Sequence, residues 1–152
     1  MFEKILVGLD GSENSINAMK YAIHIAQQEK SELLLVSAVE PLPPLAYTPG
    51  GPPTYIPQLL QDVIENTTAM QNKHIENLRN SNPNLVVTGK VEVGRAATVI
   101  KDAASNSDLI VIGHRGTGSV LSWILGSVAK EVLDQCTVPV LVVKDPDYCK
   151  IN

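Results

Sequence analysis

The chain has 152 residues, 44% of them apolar and 18% charged, with a formal charge of −4. This length fits one domain over 1–152 with a sizeable core. The acidic balance argues against general affinity for nucleic acid or anionic lipid, which want clustered Lys and Arg, yet allows one small anion held by local geometry.

The opening "MFEKILVGLDG" lacks the long apolar core and small-residue cleavage site of a secretory leader. No apolar run approaches the ~20 residues needed to cross a bilayer. Cys136 and Cys149 are read as unpaired thiols of a cytoplasmic protein rather than as a disulfide. Asn66-Thr67-Thr68 matches a glycosylation acceptor by chance, given no secretion signal.

Strand-like and helix-like segments then alternate. "KILVGL" (4–9) is a short apolar run ending in the turn signal "DGS", where Ser12 can cap a helix. From Ser12 to about Lys30, Ile16, Met19, Ala22, Ile23 and Ala26 recur at spacings of three and four, one face of an amphipathic helix. "ELLLVSAV" (32–39) predicts a second buried strand. The next eighteen residues, 40–57, hold seven prolines. Proline withholds backbone donors and fixes φ, so this is a loop, long enough to be functional or mobile.

A second helix is predicted from about Gln58 to Asn80, broken by "NPN". "LVVTGKVEV" (85–93) is a third strand, "GRAATVIKDAASNS" a third helix and "DLIVIG" (108–113) a fourth strand. A fourth helix follows Gly126, and "VPVLVVK" (138–144) closes the series. Near-continuous apolar strands alternating with helices predict a parallel sheet covered on both faces. The fold class is therefore doubly wound α/β.

In such sheets ligands bind beyond the carboxyl ends of the strands, where strand order reverses. "LDGS", "SAVEP" and "GHRGTGSVLSWILGS" (113–127) are the candidates by position. In the last of these, glycines let successive N–H groups converge on an anion. Gly126-Ser127 then opens a helix whose first N–H groups lack internal partners, and Ser119 and Ser127 can add hydroxyl donors. A helix dipole alone is worth only ~0.3–1 kcal/mol, whereas micromolar binding needs ~8 kcal/mol. Several donors and a base pocket would have to act together. On glycine content alone, a tight turn before a capped helix remains an equal reading. Neither a P-loop lysine motif nor a G-x-G-x-x-G after the first strand is present.

Gly113-x2-Gly116-x9-Gly126-Ser127 resembles the G-2x-G-9x-G-[S/T] pattern of ATP-binding members of the universal stress protein family. "KILVGLDGSENS", "VEVG", "SDLIVIGHRG", "LGSVAKEVL" and "VPVLVVK" resemble that family in order along nearly the whole chain. The resemblance implies a five-stranded parallel sheet of order 3-2-1-4-5. It also implies a homodimer through the last strand, Val138–Lys144, and ATP with Mg²⁺ or Mn²⁺ bridging its phosphates. Carried over, Leu9 and Asp10 would lie near the ribose and a metal-bridged phosphate, and Ala38 and Val39 near adenine. Gly113, Gly116, Gly126 and Ser127 would hold phosphates, with Arg115, Gly118, Ser119 and Val128 around them. Ser37-Ala38 stands where the family often has His-Val, and Trp123 occupies the spacer.

Asp10 has a second reading as an Asx-turn residue, and Arg115 one as an ordinary loop arginine. His114 enters only through its backbone, His24 and His74 read as surface or boundary residues, and Asp108 as ending a turn before the fourth strand. "VPVLVVK" as a bare sheet edge would want a cover, which a second copy supplies. The leading expectation is a cytoplasmic ATP-binding sensor or regulator with a protein partner unknown from sequence. A slow ATP hydrolase and a nucleotide-free dimeric interaction module stand beside it.

Overall fold

The computed structural model describes residues 1–41, 56–116 and 125–144, the side chain of Ile56 excepted. Most of the proline-rich segment, Gly118, Ser119, Trp123 and Cys149 lie outside the described residues.

Each apolar run forms a strand because both its faces are covered. The strands are β1 (Lys4–Gly8), β2 (Glu32–Val39), β3 (Val87–Val93), β4 (Leu109–Gly113) and β5 (Val140–Val143). Between them run the helices α1 (Glu13–Glu29), α2 (Ile56–Ser81), α3 (Ala96–Ala103) and α4 (Ser127–Gln135). The sheet has the order β3-β2-β1-β4-β5, and every pairing is parallel. The expected doubly wound class and strand order both hold.

Alternation along the strands divides the core in two. Ile5, Val7, Leu33, Leu35, Leu109 and Val111 pack under α1 and α2. Leu6, Val36, Ile110 and Ile112 pack on the other face with Ala97 and Ile100 of α3 and Ala129 and Val132 of α4. Fully burying each such aliphatic side chain is worth about 1.5–3 kcal/mol. Helix α1 meets the sheet through Ala18, Ala22 and Ala26, all fully buried. Small residues four apart let its backbone come close. At Gly113 the approach is closest, since an added Cβ would lie 2.8 Å from the backbone of Asn14.

The expected boundaries hold within a few residues. β3 begins at Val87 rather than Leu85, because Leu85 N–H is drawn back to the Asn82 carbonyl in a turn after α2. β5 begins at Val140 rather than Val138, just after Pro139, whose carbonyl still accepts from Ile110. Asp108 precedes β4 and holds it to β1, its Oδ2 accepting from Glu3 and Lys4 N–H at 2.8 and 2.9 Å.

Candidate functional site

Strand order reverses between β1 and β4, so the chain leaves these two neighbours toward opposite faces of the sheet. A crevice opens there. It is a cavity of about 550 Å³ at the carboxyl ends of β1, β2 and β4, roofed by the starts of α3 and α4.

The β1–α1 turn forms one wall. Gly11 has φ of 80°, a left-handed conformation that suits glycine, so the chain reverses directly into α1. Asp10 Oδ1 accepts from Ser12 N–H at 2.9 Å and from Ser12 Oγ. This is the Asx turn read from the sequence. Ser12 in turn caps α1 by accepting from Ser15 N–H at 3.2 Å. The other carboxylate oxygen, Oδ2, faces Gly116, where an added Cβ would come within 2.6 Å of it. Asp10 thus serves the turn through one oxygen and abuts the β4 loop through the other.

The opposite wall comes from β4 and α4. Gly126 N–H donates to the His114 carbonyl at 2.8 Å, tying the start of α4 to the end of β4. The contact is tight, because a Cβ on Gly126 would meet that carbonyl at 3.0 Å. Helix α4 starts at Gly126 without a side-chain cap, and Ser127 and Val128 of its first turn line the cavity. Arg115 is 8% exposed and also lines it, more enclosed than an ordinary loop arginine. His114 is 5% exposed and its N–H donates to the Val143 carbonyl. His24 is exposed and His74 half-buried, both away from the cavity.

Leu9, Asp10, Ala38, Gly113, Arg115, Gly116, Gly126, Ser127 and Val128 all line the one cavity. Val39 is not among its lining residues; it is buried, and its carbonyl accepts from Gly94 N–H at 3.0 Å. Gly118 and Ser119 lie outside the described residues.

Sequence reasoning missed the apolar lining, Val36 and Ile112 from the sheet and Ile100 from α3, and the polar wall residue Ser15, and it reached Glu40 only as part of "SAVEP". Strand parity carried the signal for part of it. Val36, Ala38 and Glu40 are two apart and share the cleft side, so Ser37 must point away. Ser37 is 1% exposed on the α2 side, donating to the Leu9 carbonyl at 2.7 Å and accepting from Gln71 Nε2 at 3.0 Å. Its difference from the family's common histidine therefore leaves the cleft wall itself unaltered.

Fold and cleft together define a doubly wound α/β protein with an open crevice at its topological switch point, one end lined by glycines and a helix start. Residues 1–144 match the universal stress protein family. The chain belongs to that family. It is 30% identical over 149 residues to the universal stress protein YxiE of Bacillus subtilis, with 95% of this chain and all of that one covered. Among solved structures it resembles the universal stress protein UspA from Lactobacillus plantarum, at a TM-score of 0.75 and 23% identity, covering 92% of this chain and 96% of that one. Another neighbour is a universal stress protein in complex with cAMP, at a TM-score of 0.68 and 21% identity, covering 93% and 97%. Among the described residues no helix is long and apolar enough to cross a membrane.

Proposed function

We propose that the cleft binds an adenine nucleotide, with ATP as its working ligand, and that the protein acts as a nucleotide-dependent sensor or regulator in the stress response. The observation that carries this reading is the meeting of Asp10, Ala38, Arg115, Gly116, Gly126 and Ser127, from four separate segments, on one cavity of about 550 Å³. The cAMP-bound neighbour supports a nucleotide in a crevice of this fold. In the reading, residues 1–152 form one nucleotide-binding domain in a cytoplasmic setting, and a protein partner reads the loaded surface.

The two ends of the cleft suit the two ends of a nucleotide. At α4, uncapped N–H groups, the Ser127 hydroxyl and the Arg115 guanidinium offer donors to phosphate. Toward β2, Val36, Ala38 and Ile100 offer an apolar slot for a base. Gly118 and Ser119 complete the phosphate loop in this assignment, and Val39 contributes only through the backbone that sets Ala38.

Mg²⁺ or Mn²⁺ bridging the phosphates belongs to the same reading. No cluster of three or more His, Cys, Asp or Glu suited to a metal occurs among the described residues. A hard ion held mainly by phosphate oxygens and water needs no such cluster. Asp10 Oδ2, against Gly116, is the carboxylate oxygen placed to meet the ion or its water. Such an ion would neutralise phosphate charge beside that carboxylate. The described lining holds no lysine, so hydrolysis, which needs strong charge neutralisation and a positioned water, would be slow.

A homodimer through Val138–Lys144 is the assembly we propose. The two sheet edges differ. β3 carries the Lys90–Glu92 ion pair, a charged edge that discourages further pairing. β5 reads Val-Leu-Val-Val with three of the four only half-buried.

The test of the nucleotide reading is to denature freshly purified protein and identify what it releases, then titrate the emptied protein with ATP and Mg²⁺. Bound or rebound adenine nucleotide, lost on Gly116→Val, is the expected result. No release and no titratable binding would leave the glycine loop a turn and move the function to the dimer surface.

A further inference from the structure

The slot assigned to the base has apolar depths and a charged rim. Val36, Ala38 and Glu40, two apart at the end of β2 and just beyond it, follow one another along the cleft side. Ile100 and Ala96 face them from α3, one helical turn apart. At the rim, Glu40 Oε1 accepts from Ala96 N–H at 3.2 Å, which holds the carboxylate there and closes the start of α3. Among the described residues its other oxygen, Oε2, has no hydrogen-bond partner, and Glu40 has no ion-pair partner. Arg95 is adjacent to Ala96 but engaged elsewhere, its guanidinium reaching both oxygens of Glu131 at 2.8 and 3.0 Å. A carboxylate with one oxygen to spare therefore borders an otherwise apolar slot.

We infer that Glu40 selects the base: Oε2 accepts from the exocyclic 6-amine of adenine and disfavours purines that carry a 6-oxo group. The inference rests on the nucleotide reading above. A purine bears its ribose on N9 and its 6-substituent at the far side of the ring system. With the ribose at Leu9 and Asp10, beyond β1, the 6-position points toward β2 and Glu40. An ionised carboxylate only accepts hydrogen bonds. Adenine presents a donor amine at position 6, guanine an acceptor oxygen. The first gains a hydrogen bond, whereas the second sets two acceptors against each other. Val36, Ala38 and Ile100 cannot make this distinction, because an amine and an oxo group are nearly the same size. The contact involves the base alone, so it holds for any adenine nucleotide, open-chain or cyclic.

The experiment is calorimetric titration of the full chain with ATP and with inosine triphosphate, each with Mg²⁺. The two ligands share ribose and phosphates and differ only at the 6-edge of the base. Wild type is expected to favour ATP by about tenfold or more, the scale of one hydrogen bond to a charged group. Glu40→Gln keeps an oxygen for Ala96 N–H and turns an amide donor toward position 6, so the ratio should fall to about one or reverse. Glu40→Ala removes acceptor and charge together and should also shrink it, through weaker ATP binding. A general loss of structure weakens both ligands alike and cancels in the ratio. Wild type binding both ligands equally, or an ATP preference that both variants keep in full, overturns this inference alone. Binding of neither ligand by wild type overturns the nucleotide reading and this inference with it.

Discussion

Asp10, Ser37 and Asp108 show how far a single side chain can be read in isolation. Asp10 had two readings in sequence, turn former and ligand contact, and the structure assigns its Oδ1 to the turn while bringing Oδ2 to the cleft. The two readings were never exclusive. Ser37 stands where the family often has histidine, and parity turns it away from the cleft toward Gln71. Gln71 is 3% exposed, and its amide also reaches the Leu35 and Lys90 carbonyls at 3.2 and 3.1 Å. A buried glutamine on a helix predicted from its apolar residues gave no advance sign, because its partners lie on two distant strands. Gln71→Leu should cost about 1–3 kcal/mol in chemical denaturation by removing the donor to these buried acceptors. Asp108 carries a pH prediction. Hydrogen bonds from Lys4 and Glu3 N–H hold its carboxyl below the ordinary aspartate value. A depressed folded-state pKa gives stability that is full above the unfolded value and lost as pH falls through the folded one. Acid titration of the melting temperature should therefore show a shallower low-pH decline in Asp108→Asn than in wild type.

At the scale of elements, the four helix-like patterns and five apolar runs were legible because period and burial agree. Their ends were less so, since Leu85 and Val138 are apolar enough for strand yet sit in turns set by Asn82 and Pro139. The helix starts differ in a way that bears on function. Ser12 caps α1 and the carboxylate of Glu40 closes α3, while α4 begins without a side-chain cap. Only the first of these was legible, because Ser12 is local to its helix and Glu40 reaches α3 from 56 residues away. Gly113 joins two elements, as β4 ends against the first turn of α1. Gly113→Ala should push that turn away, costing about 1–3 kcal/mol as overpacking does. It should also weaken nucleotide binding beyond the stability loss, because Asp10 and Ser12 move with α1. Thermal melts with and without ATP separate the two effects.

For the whole molecule, strand order 3-2-1-4-5 decides both where the cleft lies and which edges stay open. Ile110 and His114 N–H donate to the Pro139 and Val143 carbonyls, each at 2.9 Å. Alternation then points the backbone of Val142 away from β4, toward the open edge. Val142→Pro removes an outward donor without taking one from the β4–β5 ladder. If β5 pairs as proposed, this variant should be monomeric in light scattering where wild type is dimeric, while keeping its helical circular dichroism. A dimer that persists in this variant would move the interface elsewhere. The cleft itself was legible only as three loops sharing one end of the sheet. Its apolar lining, and Glu40 as a wall residue, appear once strand parity and the α3 approach are known.

The measurement that bears most directly on the account is an ATP and Mg²⁺ titration of isotope-labelled protein, followed by amide chemical shifts. Saturable shifts at Asp10, Ala38, Gly116 and Ser127, with little change at Lys101 and Thr137 beside the small hollow near Cys136, are the predicted result. Saturable shifts confined to that hollow, or none anywhere at millimolar nucleotide, would contradict it.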